Sequence, residues 1–160
     1  MKKFLLIYWF NIILLFALFY LDISPIADIL NNFQTNFTSY LTSLTLPINK
    51  MQGNEIIINS HYNLVIEKAC NGLIPYLFFL SSIIAFPSNI KHKFKWAIYG
   101  YIVITGINIF RIWLITQLVL QKTDNFSIAH NFIGNSILIL SSITLFILFV
   151  KLLPHKNFNF

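Results

Sequence analysis

Apolar residues run in long blocks over 4–21, 72–90, 96–120 and 132–153, and the polar residues crowd between them. Each block is close to the ~20 residues that a helix needs to cross a hydrocarbon core. The segment between the first two blocks has a different rhythm. Behind Ser24-Pro25, an N-cap serine with proline at the first helical position, Ile26, Ile29, Leu30, Phe33, Phe37, Tyr40, Leu41 and Leu44 recur at three- and four-residue spacing. Asn31, Asn32, Gln34, Thr35, Thr38 and Ser39 fill the gaps. This predicts an amphipathic helix, ended by Pro47, that lies on the membrane surface or packs on the other helices. Two β-branched runs, 55–58 and 64–66, predict a β-hairpin leading into residue 70. A hairpin this small cannot stand alone in water, so it should rest on the helices or the membrane. Residues 91–95 read as a tight basic loop, 121–131 as a polar loop, and 154–156 as the start of a short tail.

Composition fixes the class. Of 160 residues, 57% are hydrophobic and 10% charged, too few charges to clothe a soluble domain. The expectation is an all-α integral membrane protein forming one domain over 1–160. It has about four transmembrane helices, one amphipathic helix and a small β-hairpin within an extracytoplasmic segment, 22–71. The first block follows Lys2-Lys3 as a signal peptide would, yet it is long for one and no small-x-small cleavage pattern follows, so an uncleaved helix is expected. The net charge of +6 reads as topology, not as nucleic-acid binding. Lys2, Lys3, Lys91, Lys93, Lys95, Lys151 and Lys156 fall on one side; Lys50, Lys68, Lys122 and all five acidic residues fall on the other. The positive-inside rule then puts both termini in the cytoplasm, in the inner membrane, with membrane lipids and no nucleic acid as partners.

On that map three singular residues share one depth near the outer face. Cys70 is the sole cysteine, which excludes an internal disulfide and a Cys-x-x-Cys motif. At a helix N-terminus a thiol is favoured as thiolate, the nucleophilic form. Arg111 is the sole arginine and lies inside a span, where a guanidinium costs ~2.5–3.5 kcal/mol on insertion scales. It cannot serve as a base, but it can stabilise a thiolate or an oxyanion; the bland alternatives are snorkelling or pairing with Asp124 or Glu67. Asn108, three residues earlier on the same helix face, is placed to hold the guanidinium. His130 would be the general base and acid. His92 and His155 fall on the opposite side, so His61 is its one rival. No cofactor is expected, and His61, His130 and one thiol make a poor metal site.

Ala69-Cys70-Asn71-Gly72-Leu73, then Asn108-Ile109-Phe110-Arg111, then His130, in this order, resembles the exosortase/archaeosortase family of multi-pass membrane transpeptidases. The resemblance runs from about residue 50 to 140 and suggests a compact member. It implies a cysteine transpeptidase or protease acting on membrane-anchored proteins whose C-terminal sorting signal combines a short motif, a transmembrane helix and a basic cluster. Cys70 would form a thioester, His130 would shuttle protons, Arg111 would stabilise developing charge, and a lipid or glycan acceptor would resolve the intermediate. The family usually has serine after the cysteine; here Asn71 offers an amide that could serve an oxyanion, and Glu67 has a supporting role. The residues alone leave open a non-catalytic assembly or signal-binding protein with a structural Arg111.

Overall fold

The computed structural model describes residues 2–153; the tail at 154–156, with His155 and Lys156, lies outside the described residues. Five α-helices and a small sheet follow one another: α1 (Lys2–Phe19), α2 (Pro25–Ser43), β1 (Met51–Gln52), β2 (Glu55–Asn59), β3 (Tyr62–Val65), α3 (Leu73–Ala85), α4 (Ile90–Gln121) and α5 (Asn135–Lys151). A 3-10 turn, Lys68–Cys70, precedes α3, and a π-helical turn, Ile128–Gly134, runs directly into α5.

Among the described residues three helical stretches are long and apolar enough to cross a membrane: Lys2–Phe19, Ile90–Gln121 and the continuous run Thr123–Lys151. The block expected to span 72–90 forms only the 13 residues of α3. At ~1.5 Å per residue it is about 20 Å long, short of a ~30 Å core. It stops where Phe86 turns extended ahead of Pro87, as a residue before proline prefers.

Two loops of the sequence reading prove helical. The lysines at 91, 93 and 95 lie in the first turns of α4, whose Asn89 side chain accepts from the Lys91 N–H at 2.9 Å. Lysine is a good helix former, so the true connection is only residues 86–89. Likewise much of 121–131 is wound into helical turns, and His130 sits inside the π-turn, not in a loop.

The hairpin gains a third strand. β1, β2 and β3 are antiparallel in that order, with Met51 opposite Ile56 and Ile56 opposite Leu64. As expected of so small a sheet, it rests on helices. Ile56, Ile58, Leu64 and Ile66 bury themselves against Ile112 and Ile115 of α4. A second core at the far end joins Phe79, Ile83, Trp96, Ile104, Leu145 and Phe149. There the Phe4 ring lies 6.2 Å from Phe86 and 6.4 Å from Phe146, so the starts of α1 and α4 and the end of α5 gather with their lysines. Cys70 and the sheet occupy the opposite end.

Amphipathic α2 packs on the helices, but with its polar face inward. Ile29 and Phe33 are 72% and 60% exposed, whereas Thr38 and Thr42 are fully buried. In a soluble protein this would be inside-out. In lipid, apolar side chains lose nothing by facing outward, and hydrogen-bonding residues gain by facing one another. Ser24 caps the helix as its sequence predicts, accepting from the Ile26 N–H at 3.2 Å, and the helix ends at Ser43, ahead of Pro47.

Helices α3 and α4 approach closely at Gly100, where an added Cβ would lie 2.1 Å from the buried Phe79 ring. Gly100→Ala is expected to lower stability by about 1–3 kcal/mol through overpacking. A fall in thermal midpoint of the detergent-solubilised protein checks this.

Candidate active site

The loop that carries Cys70 is held from two sides. Gly72 adopts φ +82°, a left-handed turn that lets the chain leave the 3-10 turn and enter α3, and its Cα faces Asn108. From α4, Asn108 Nδ2 donates to the Cys70 carbonyl at 2.8 Å. From α2, Gln34 Nε2 (3.1 Å) and Thr38 Oγ1 (3.3 Å) donate to the Asn71 carbonyl.

The half-buried thiol lies against the π-turn. Cys70 Sγ is 3.4 Å from His130 Nε2. The other imidazole nitrogen, Nδ1, is 3.0 Å from Asn131 Oδ1, and the Asn131 amide donates to Ser127 Oγ at 3.4 Å. That pattern assigns the proton to Nδ1, where it bonds the Asn131 oxygen, and leaves Nε2 to accept from the thiol. Phe126 stacks on the imidazole at 5.2 Å. π-turns inside helices often mark functional sites, and this one puts His130 and Gly134 on the site together.

Arg111 is 2% exposed. Its Nη1 donates to Asn108 Oδ1 at 3.4 Å and its Nη2 to Asn135 Oδ1 at 3.3 Å, while Nε has no hydrogen-bond partner among the described residues. No carboxylate pairs with it there either: Asp124 lies 3.6 Å from Lys122, and Glu67 is exposed. Cys70, Arg111 and His130 line one cavity of about 30 Å³, walled elsewhere by Ile56, Leu64 and Ile112. That is room for about one water.

Asn108 therefore sits where its spacing predicted, joining the Cys70 loop to the guanidinium. Asn71 does not face the cavity. It is fully buried, its Nδ2 donates to Asn31 Oδ1 (3.3 Å) and Thr35 Oγ1 (3.4 Å), and its Oδ1 accepts from the Leu73 N–H (2.9 Å). Its amide N–H groups are spent on α2, away from the cavity where an oxyanion would need them. Glu67 is exposed and its side chain makes no hydrogen bond or ion pair with the three among the described residues, and His61 is exposed at the tip of the β2–β3 turn. Sequence reading missed Asn131, beside His130, and Asn135, one helical turn further on. Their only signal was polarity at the head of an apolar block.

A family model described as Transmembrane exosortase (Exosortase_EpsH) matches residues 2–148. The chain belongs to the exosortase family. Neither a curated protein nor a solved structure matches it. The match covers α1 to α5 and takes in both the Cys70 loop and the π-turn of this exosortase.

Gly134 bears directly on the buried charge. A Cβ there would lie 2.7 Å from Arg111 Nε and 3.1 Å from the Ala129 carbonyl. Gly134→Ala is expected to displace the guanidinium and to slow any reaction at this site about 100-fold, the usual cost of ångström-scale misplacement. A rate assay beside a melting curve checks it: the rate falls far more than the stability.

Proposed function

We propose that this exosortase is a membrane-embedded cysteine transpeptidase that cuts C-terminal sorting signals from exported, membrane-anchored proteins. One observation carries the reading: a buried arginine with no carboxylate partner among the described residues shares a cavity with a hydrogen-bonded thiol–imidazole pair. An isolated buried charge is costly, and the natural counter-charge here is one that appears during reaction.

His130 Nε2 takes the Cys70 proton, and the sulfur attacks the scissile carbonyl carbon. The tetrahedral oxyanion is stabilised by the Arg111 guanidinium, which Asn108 and Asn135 aim. The C–N bond then breaks, His130 returns the proton to the leaving amine of the tail, and the thioester remains on Cys70. An acceptor nucleophile, on a lipid or a glycan, loses its proton to His130 and displaces the thiolate. Asn131 holds the imidazole in the tautomer this requires, as a third group does in other thiol–histidine sites.

A cleft of about 610 Å³ between α1, α3 and α5 supports the apolar character of the substrate. Ala69, next to Cys70, and Asn135, which holds Arg111, line it together with Ile74, Phe78, Ile139 and Phe146. The tail helix is read as lying there. With both termini cytoplasmic by the lysine pattern, the thiol faces outward, where exported substrates arrive.

Tail release is the test. Membranes containing this protein and a substrate with an apolar, basic-ended tail should yield a shortened substrate, and removing the tail should abolish processing. Equal yield from membranes without the protein would overturn the reading.

A further inference from the structure

Among the described residues the buried polar face of α2 makes no hydrogen bond to the thiol, yet it grips the peptide that carries it. Gln34 and Thr38 both donate to the Asn71 carbonyl, and Asn31 Oδ1 accepts from the Asn71 amide. Behind them, the Tyr101 hydroxyl of α4 donates to Gln34 Oε1 at 2.6 Å, which orients the Gln34 amide toward the loop. Asn31 Nδ2 in turn donates to the Phe19 carbonyl at 3.0 Å and the Ala27 carbonyl at 2.7 Å, tying the end of α1 to α2.

We propose that Gln34, Thr38 and Tyr101 are positioning residues that fix the Cys70–Asn71 peptide and thereby set the Cys70 sulfur against His130. The proposal rests on the reading of Cys70 as the nucleophile. Its physical basis is the shape of the loop. A 3-10 turn followed by a left-handed glycine makes few backbone hydrogen bonds of its own, so its course depends on what holds its carbonyls. Asn108 holds the carbonyl of residue 70 from α4, and Gln34 with Thr38 hold that of residue 71 from α2. Two successive carbonyls clamped by two different helices leave the Cys70 backbone little freedom. Releasing one lets the sulfur leave a 3.4 Å contact that tolerates little drift.

Thr42 supplies an internal control. It is fully buried one turn along the same face of α2, but its hydroxyl has no hydrogen-bond partner among the described residues. Thr38→Val and Thr42→Val are the same near-isosteric change on one helix, so each disturbs packing alike and only the first removes a grip on the loop.

The experiment compares wild type, Thr38→Val, Thr38→Ser, Tyr101→Phe and Thr42→Val as full-length protein in detergent, with two readouts. Tail release gives kcat and KM, and the rate of maleimide addition reports on the sole cysteine without any substrate. Thr38→Val and Tyr101→Phe should each lower kcat about tenfold at unchanged KM and slow maleimide addition severalfold. Thr38→Ser, which keeps the hydroxyl, should restore both, and Thr42→Val should match wild type. The proposal is overturned if Thr38→Val behaves as Thr42→Val does, if the loss appears in KM alone, or if maleimide addition is unchanged. Should wild type release no tail, the catalytic reading fails, and the maleimide rates still decide whether α2 positions the thiol.

Discussion

Cys70→Ala is expected to abolish tail release, because the proposed reaction has no other nucleophile to form the acyl-enzyme. The sulfur is the only thiol in the chain, and it is the one nucleophilic side chain within reach of His130 Nε2 among the described residues. His130→Ala should be less severe. It removes proton transfer in both half-reactions, worth about 10²–10⁴-fold in rate, while leaving the thiol and the guanidinium in place. Asn131→Ala should cost less again, since the imidazole survives and loses only the group that fixes its tautomer. The order of severity, read from initial rates of tail release in membranes with equal protein content, separates a working triad from a passive cluster. If Cys70→Ala retains processing, the thiol is a bystander, and a non-catalytic membrane partner becomes the better account.

Arg111→Met is expected to lower tail release about 10²–10³-fold, the effect of losing a principal oxyanion donor, with little change in thermal stability. A structural arginine would behave in the opposite way. Breaking a buried ion pair typically destabilises by about 3–5 kcal/mol, but among the described residues no carboxylate pairs with Arg111 to be stranded. Replacing the buried guanidinium with an apolar side chain of similar length removes a desolvation cost but leaves the buried Asn108 oxygen without its donor, so the two effects oppose each other and the melting temperature should change little. Arg111→Lys should also be poorly active, because a single ammonium cannot span the Asn108 and Asn135 oxygens as the fork does. Activity lost with stability kept identifies a charge maintained for chemistry. Stability lost with activity kept would make Arg111 a packing ion.

These effects concern residues that the sequence singles out because each is rare or costly where it stands. A lone arginine in an apolar block and a lone cysteine at the edge of another are visible without a structure. So is Asn108, by its helical spacing from Arg111. What holds them was not legible. The spacing rule marks the apolar stripe of α2 correctly, but that stripe is the exposed side, and Asn31, Gln34 and Thr38 form the packed face. Asn71 looked available because sequence shows the amide and not its neighbours; folded, every polar group of its side chain is engaged. The π-turn at Ile128–Gly134 has no compositional mark. It inserts extra backbone into a helical turn, and only its consequence, His130 facing Cys70 while Gly134 makes room for Arg111, explains why a glycine stands there. The basic run at 91–95 misled for a simpler reason: lysines favour helix, and Pro87 had already provided the break.

The most direct test of the central claim is to look for the intermediate itself. Wild-type protein incubated with a tail-bearing substrate and no added acceptor would be quenched in acid, digested and analysed by mass spectrometry. The account predicts the substrate peptide on the N-terminal side of the cut, joined through its new terminal carbonyl to the peptide containing Cys70 and removable by hydroxylamine as a thioester must be. Substrate cleaved with no adduct on Cys70, together with cleavage that persists in Cys70→Ala, would contradict it.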